Sequence, residues 1–311
     1  MRAIVYNSYG GSEFLKLTDM EKPIPQKGQV LIEVKAIGLN PRDCNIRNGD
    51  LKIISGKAFP KLTGSDLSGI IVDCGAGVTN FKAGDEVFGY IEDVKSGGSA
   101  EYVVLPVQYL ALKPKEISFD TAATLGCTYL TALQTLRDKC KVMPGSKVAI
   151  YGASGGVGVA AIQLAKYFGA VVTAVSNSSN ENFCLSQGAN SFVAYDKTDI
   201  FSSSDKYDVF FQVFSKQGSF YDKAKGILKH MGIYTCLIPD PRFLFKSLFA
   251  RPYFKYILVK AKRADLDLLA KLAVERKITP YISNKFKLEQ MKEAHDMING
   301  GHMKGKIVIT L

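Results

Sequence analysis

Residues 151–170 read YGASGGVGVAAIQLAKYFGA. Small residues crowd the first half, and apolar residues at helical spacing fill the second. The run KVAIY (147–151) leads into it and is short and apolar, so the stretch predicts a strand, a tight turn and a helix. Ala153, Gly155 and Gly158 have the spacing of a dinucleotide-binding fingerprint with Ala in the first glycine position. The second glycine lets the backbone approach a pyrophosphate, and the third lets the helix pack close on the strand. The helix N-terminus then offers unpaired N–H groups to the anion. Ala153, Ser154, Gly155, Gly156, Val157 and Gly158 are therefore the expected cofactor-binding turn.

Such a turn carries weight only inside a repeated strand–helix pattern, and its flanks supply one. DTAATLGCTYLTALQTLRDKC (120–140) precedes it with apolar residues at helical spacing. After it come strand VVTAVS (171–176), a helix around NENFCLSQGA, strands SFVAY and YDVFFQV, a helix around YDKAKGILKH (221–230), and strand GIYTCLI (232–238). Continuous apolar strands alternating with helices predict a parallel sheet covered on both faces, the doubly wound Rossmann arrangement. The end of the second strand selects the cofactor. A carboxylate there accepts from the ribose 2′-hydroxyl of NAD. Here Ser176, Asn177 and Ser178 stand at that end, with Asn180 just beyond. Hydroxyls and amides can donate to a 2′-phosphate that a carboxylate would repel, so NADPH is the expected cofactor. No Arg or Lys lies between Lys166 and Lys197 to pair that phosphate.

Residues 1–115 read differently. QVLIEVKAIGLN (29–40), SGIIVDCGAG (68–77) and GGSAEYVVLP (97–106) are β-rich runs bounded by turn residues. From 261 the chain carries an amphipathic helix in ADLDLLAKLAVERKI, another around LEQMKEAHDMING and a closing strand GKIVITL. No further strand–helix units follow, so this tail is expected to return to the β-rich part. The 311 residues leave room for two domains, and 47% hydrophobic with 22% charged residues excludes a disordered or fibrous chain. Net charge is +11, but the basic residues form no long run, so a surface favouring anionic cofactors is expected and no nucleic-acid partner. No segment approaches the roughly 18 apolar residues of a membrane span, and the cytoplasm is the expected compartment. The cysteines lie far apart without a CxxC pair and read as small buried hydrophobes, with Cys127 also weighed as a reactive thiol.

NPRDCNIRNG (40–49), GSDLSGIIVDCGAGVTNFKAGDEVFGY (64–90), GGSAEYVVLP, YGASGGVGVAAIQLAKYFGA and GGHMKGKIVI (300–309) together resemble the medium-chain dehydrogenase/reductase superfamily. Within it they are similar to the zinc-independent, ζ-crystallin-like quinone oxidoreductase branch. The resemblance spans nearly the whole chain in order. It implies an α/β architecture with a GroES-like β-rich catalytic domain at 1–122 and 261–311 and an inserted NADPH-binding Rossmann domain at 123–260. It also implies a homo-oligomer, usually a dimer.

In zinc-dependent members of the superfamily the metal takes an early Cys, the His of a Gly-His-Glu motif and a second Cys four residues before a Thr. Asn40 stands at the first position, Ser65 at the second, and Cys127, four residues before Thr131, at the third. Carboxamide, hydroxyl and one thiolate make a poor zinc site, so no metal is expected. His230, His295 and His302 read as surface or helix-face residues. By resemblance Asn40 would donate to a substrate oxygen, Asp66 would face the cleft, Thr131 would contact the nicotinamide, and Gln212 would lie near the ribose or nicotinamide. Against these stand a turn residue before Pro41, a turn cap, an ordinary helix residue, and a contact made by backbone alone. Asp43 and Arg47 read as a structural ion pair.

A quinone or an α,β-unsaturated carbonyl takes hydride at an electrophilic carbon without a metal or a nucleophile. The expected activity is therefore NADPH-dependent reduction of quinones, 2-alkenals or enones. Two alternatives stay open: a metal-free carbonyl or alcohol dehydrogenase, and an NADPH-binding protein with a regulatory or structural role. The segment PDPRFLFKSLFARPYFKYILVK (239–260) is aromatic and basic. It reads as a wall of the substrate cleft with part of a dimer interface, as a packed helix, or as a peripheral membrane contact.

Overall fold

The computed structural model describes residues 1–95, 97–213, 219–237, 253–301 and 303–311. The chain divides into two compact units, one of Met1–Leu130, Val259–Arg276 and Pro280–Leu311, the other of Thr131–Leu258 with Lys277–Thr279. Among the described residues no helix is long and apolar enough to cross a membrane.

The second unit is built on a parallel sheet of apolar strands. In spatial order these are Ser191–Ala194, Val171–Ser176, Lys147–Tyr151, Tyr207–Gln212, Leu228–Cys236 and Tyr253–Tyr256. Chain order reverses beside Lys147–Tyr151, whose neighbours are the second strand on one side and Tyr207–Gln212 on the other. In an open parallel sheet that reversal leaves a crevice at the carboxyl ends of the strands. Val148, Ala149 and Ile150 are fully buried, as a strand covered on both faces requires.

The first unit carries a mixed sheet centred on the eleven-residue strand Gln29–Leu39. It pairs antiparallel with Asp66–Cys74, Tyr102–Pro106 and the closing strand Lys306–Thr310. The tail thus returns to the β-rich part, and its strand Ile282–Lys287 adds a parallel edge. A smaller sheet joins Arg2–Tyr6 to Lys16–Asp19 and Lys61–Leu62. This is the α/β combination of a Rossmann sheet and a GroES-like part.

Three local expectations need correction. The helical period over 120–140 does not give one helix. It breaks into Phe119–Ala122, a wide π-type turn Leu125–Tyr129, Leu130–Leu133 and a second wide turn Gln134–Lys139. The break falls at Gly126, whose φ of −67° and ψ of −106° leave the helical region. The helix expected over 221–230 stops at Ala224, and the strand begins already at Leu228, because Ile227 and Leu228 are drawn into the core beside Tyr207. His295 lies on a helix face as expected, but that face is fully buried. His302 and residues 239–252 of the aromatic, basic stretch lie outside the described residues, and residues 253–256 of that stretch form the last sheet strand.

Candidate functional site

The glycine turn sits where the sheet order reverses. Gly152 leaves the strand with φ of +87°, the left-handed region that favours glycine. The N–H groups of Gly152 and Ala153 both donate to Val175 O, at 2.9 and 3.1 Å, which ties the turn to the second strand. Gly155 is extended and precedes the helix Gly156–Tyr167, which has no acidic residue in its first turn to oppose an anion. The fingerprint glycines differ in what surrounds them. A Cβ on Gly158 would lie 2.4 Å from Gly152 O, so only glycine lets the helix sit this close. A Cβ on Gly155 would meet nothing nearer than 3.7 Å, which leaves that side of the backbone open. Gly156 and Val157 open the helix and are half-buried.

Ser154, Ser176 and Asn180 form one polar cluster. Asn180 Nδ2 donates to Ser154 Oγ (3.2 Å) and Ser176 Oγ (3.1 Å), and Ser176 Oγ donates to Ser154 Oγ (3.0 Å). Asn177 instead caps the short turn after its strand, accepting from the Ser179 N–H at 3.1 Å. One partner escaped the sequence reading. Asp196 takes both the N–H and the Oγ of Ser178, each at 2.7 Å, and these bonds hold its carboxyl below the usual range. Gln212 ends the strand opposite Tyr151, but its side chain turns inward, where Oε1 accepts from Phe220 N at 3.0 Å and from the Tyr234 hydroxyl. Thr131 is buried in Leu130–Leu133.

The first unit holds the second polar centre. Asp66 is fully buried. Its Oδ1 accepts from the Cys127 N–H at 2.6 Å, and its Oδ2 accepts from Asn40 Nδ2 at 2.9 Å and Lys306 Nζ at 3.1 Å. Glycines make room for it, since a Cβ on Gly126 would fall 2.3 Å from Asp66 Oδ1. Lys306 also donates to Leu39 O (2.9 Å) and Asn40 Oδ1 (2.6 Å), so all three ammonium protons have acceptors. Asn40 spends its other amide proton on Gly38 O at 3.2 Å. A substrate oxygen taking an Asn40 proton would have to displace that longer contact. Sequence reasoning missed Lys306 entirely. The one signal was a Lys opening an otherwise apolar strand, KIVIT.

Around this centre the expected Asp43–Arg47 ion pair does not form. Asp43 is the third residue of the helix Pro41–Asn48 and turns back to accept from the Asn40 N–H (2.8 Å) and from the Ser65 hydroxyl. Burial raises the Asp43 carboxyl to about 6, against the opposing pull of Ser65, Arg42 and the Asn40 N–H. Arg42 donates to Ser65 Oγ (2.6 Å) and Glu92 O (2.8 Å). Arg47 reaches Gly10 O, Asn48 Oδ1 and His295 Nδ1. Cys44 Sγ and the Arg47 guanidinium both lie 3.3 Å from His295 Nδ1. Nδ1 therefore accepts, and the ring proton sits on Nε2, 3.4 Å from Thr63 Oγ1. Burial, aided by the Arg47 charge, lowers this imidazole to about 3.

Cys127 is partly exposed as a residue, yet desolvation and the Asp66 charge push its thiol up to about 12, with Lys306 and Arg42 opposing. A thiol at that value is not a nucleophile near neutral pH. Asn40, Ser65 and Cys127 also fail as zinc donors, because the amide and the hydroxyl are already bonded and only one soft ligand is present. Among the described residues no group of three or more His, Cys, Asp and Glu could hold a metal.

Comparison with known proteins agrees with this construction. Residues 26–115 match the alcohol dehydrogenase GroES-like domain family, and residues 187–309 match the zinc-binding dehydrogenase family. The chain is 32% identical to a chloroplastic quinone-oxidoreductase homolog of Spinacia oleracea, over 99% of this chain and 98% of that one. It is also 32% identical to a chloroplastic NADPH-dependent alkenal/one oxidoreductase of Arabidopsis thaliana, over 99% of this chain and 79% of the other. The solved quinone oxidoreductase of Coxiella burnetii superposes with a TM-score of 0.93 at 30% identity, covering 100% of this chain and 99% of its own.

Proposed function

The chain belongs to the medium-chain dehydrogenase/reductase superfamily, on its quinone oxidoreductase branch, and from that premise we propose that it transfers hydride from NADPH to quinones or α,β-unsaturated carbonyls without a metal. It is an oxidoreductase of the quinone oxidoreductase and alkenal reductase type, from a family that binds a nicotinamide cofactor.

The observation that carries the cofactor reading is the open side of Gly155 beside the Ser154–Ser176–Asn180 cluster. The Gly152–Gly158 backbone and the helix N-terminus would hold the pyrophosphate. The cluster would meet the adenosine ribose and its 2′-phosphate through the Ser154 hydroxyl, which only accepts within it, with Ser176 and Asn180 exchanging their internal bonds for the ligand, and Thr131 would lie against the nicotinamide. A bound reduced nicotinamide supplies two electrons and one proton equivalent as hydride, and the second proton comes from solvent or a protein donor. This chain's residues bind, orient and exclude water. Asn40, already turned toward Asp66, would orient the acceptor. A homodimer and a cytoplasmic setting complete the proposal.

An NADPH-oxidation panel tests it, with ortho- and para-quinones, 2-alkenals, enones and simple alcohols with NADP+ in the reverse direction. Turnover of quinones or enals with no alcohol oxidation is the expected result. Alcohol oxidation alone would place the protein among the dehydrogenases. Tight NADPH binding with no turnover of any acceptor would favour a binding role.

A further inference from the structure

Lys306 is the one buried cation in the Asp66 centre, and no role in the proposed chemistry requires it. It comes from the last strand of the chain, while its partners come from residues 39–40 and from Asp66, and Asp66 passes the connection on to Cys127. The Lys306–Asp66 pair is almost wholly removed from solvent, at 4% and 0% side-chain exposure. A buried pair of this kind gives little net stability, but removing one partner strands the other charge. The pair also does something local. Asp66 Oδ1 takes the Cys127 N–H at the point where Gly126 leaves the helical region, and the absent Gly126 side chain is what lets the carboxylate reach it. Thr131 follows four residues along the chain.

We propose that Lys306 is a positioning residue for the reductase reaction: it holds the buried Asp66 side chain in place, and Asp66 fixes the kinked turn Leu125–Tyr129 that leads into Thr131. The inference rests on the proposed reductase function for its kinetic consequence, and on geometry alone for the clamp. Asn40 belongs to the same clamp, because its side chain donates to Asp66 and accepts from Lys306.

The test compares Lys306→Met, Asp66→Asn and the double variant in the full chain, by amide hydrogen exchange at Cys127 and by kcat and KM with NADPH and a quinone or enal. Each single variant should accelerate Cys127 exchange and lower kcat by about tenfold. The double variant leaves no stranded charge, and an amide oxygen at position 66 still accepts from the Cys127 N–H. It should therefore recover both readouts to within about threefold of the parent. A Lys306→Met protein with unchanged exchange and kcat would overturn the proposal, as would a lowered melting temperature with kcat intact. A double variant no better than Lys306→Met would also overturn it. Should Lys306→Met not fold, Lys306→Gln supplies the same comparison. If the parent protein turns over none of the acceptors, the reductase reading fails, and the exchange measurement alone decides the clamp.

Discussion

The glycine turn of the second unit and the Asp66 centre of the first solve the placement of charge in opposite ways. The turn uses backbone: N–H groups, a helix end, and glycines at Gly152, Gly155 and Gly158 within seven residues. On the proposed reading, its counter-charge would come from the pyrophosphate of a bound cofactor. The Asp66 centre uses the side chains of residues 40, 66 and 306, with the Cys127 N–H and the Gly38 and Leu39 carbonyls completing it, and every ammonium proton and side-chain amide proton has an acceptor. One is a socket and the other a lock. A socket tolerates change on its open side, whereas a lock transmits the loss of any one member to the rest.

Substitutions at glycine expose that contrast most strongly. Gly158→Val would drive a side chain against the Gly152 carbonyl, a backbone atom that cannot move aside. It should cost about 3 kcal/mol of stability and abolish cofactor binding, read by chemical denaturation and by NADPH fluorescence titration. Gly126→Ala meets the Asp66 carboxylate, which can shift only by giving up the Cys127 N–H. The expected cost is smaller, about 2 kcal/mol, by the same denaturation measurement.

Acid acts next, on two groups of the first unit. His295 titrates at about 3 in the folded chain against an ordinary 6.5, so it contributes stability above pH 6.5 that is lost as the pH falls toward 3. Asp43, raised to about 6 from 3.8, works the other way, favouring the folded state at low pH and losing that contribution as pH rises through 6. The histidine shift is the larger. Melting temperature should therefore fall from pH 6.5 to 3.5, and His295→Leu should flatten that slope while lowering stability at neutral pH. The smallest effect concerns cofactor choice. Asp196→Asn removes a carboxylate bonded to the Ser178 turn and should raise the NADPH-to-NADH ratio of kcat/KM by about threefold, measured in parallel assays.

The same contrast explains what could be read from sequence. The Rossmann sheet was legible because the glycine spacing, the strand VVTAVS and its apolar neighbours obey rules that act over a few residues. The Asp66 centre obeys no such rule, since its members meet only after the sheet forms. Lys306 gave no signal beyond opening the apolar strand KIVIT, and Asp43 with Arg47 read as a structural ion pair, whereas Asp43 turns back to cap its own helix. His295 gave no sign in its helix of the buried thiol and guanidinium facing it. Gly126 sat inside a good helical period, and only the arrival of a carboxylate from residue 66 makes it a break.

Metal-free hydride transfer from NADPH, as proposed, is tested most directly by removing metal. The protein is dialysed against a strong chelator, its metal content is determined, and NADPH oxidation is followed with a quinone and a 2-alkenal. The rate should be unchanged by dialysis and unaffected by added Zn²⁺. A rate lost on dialysis and restored by zinc would contradict metal-free transfer.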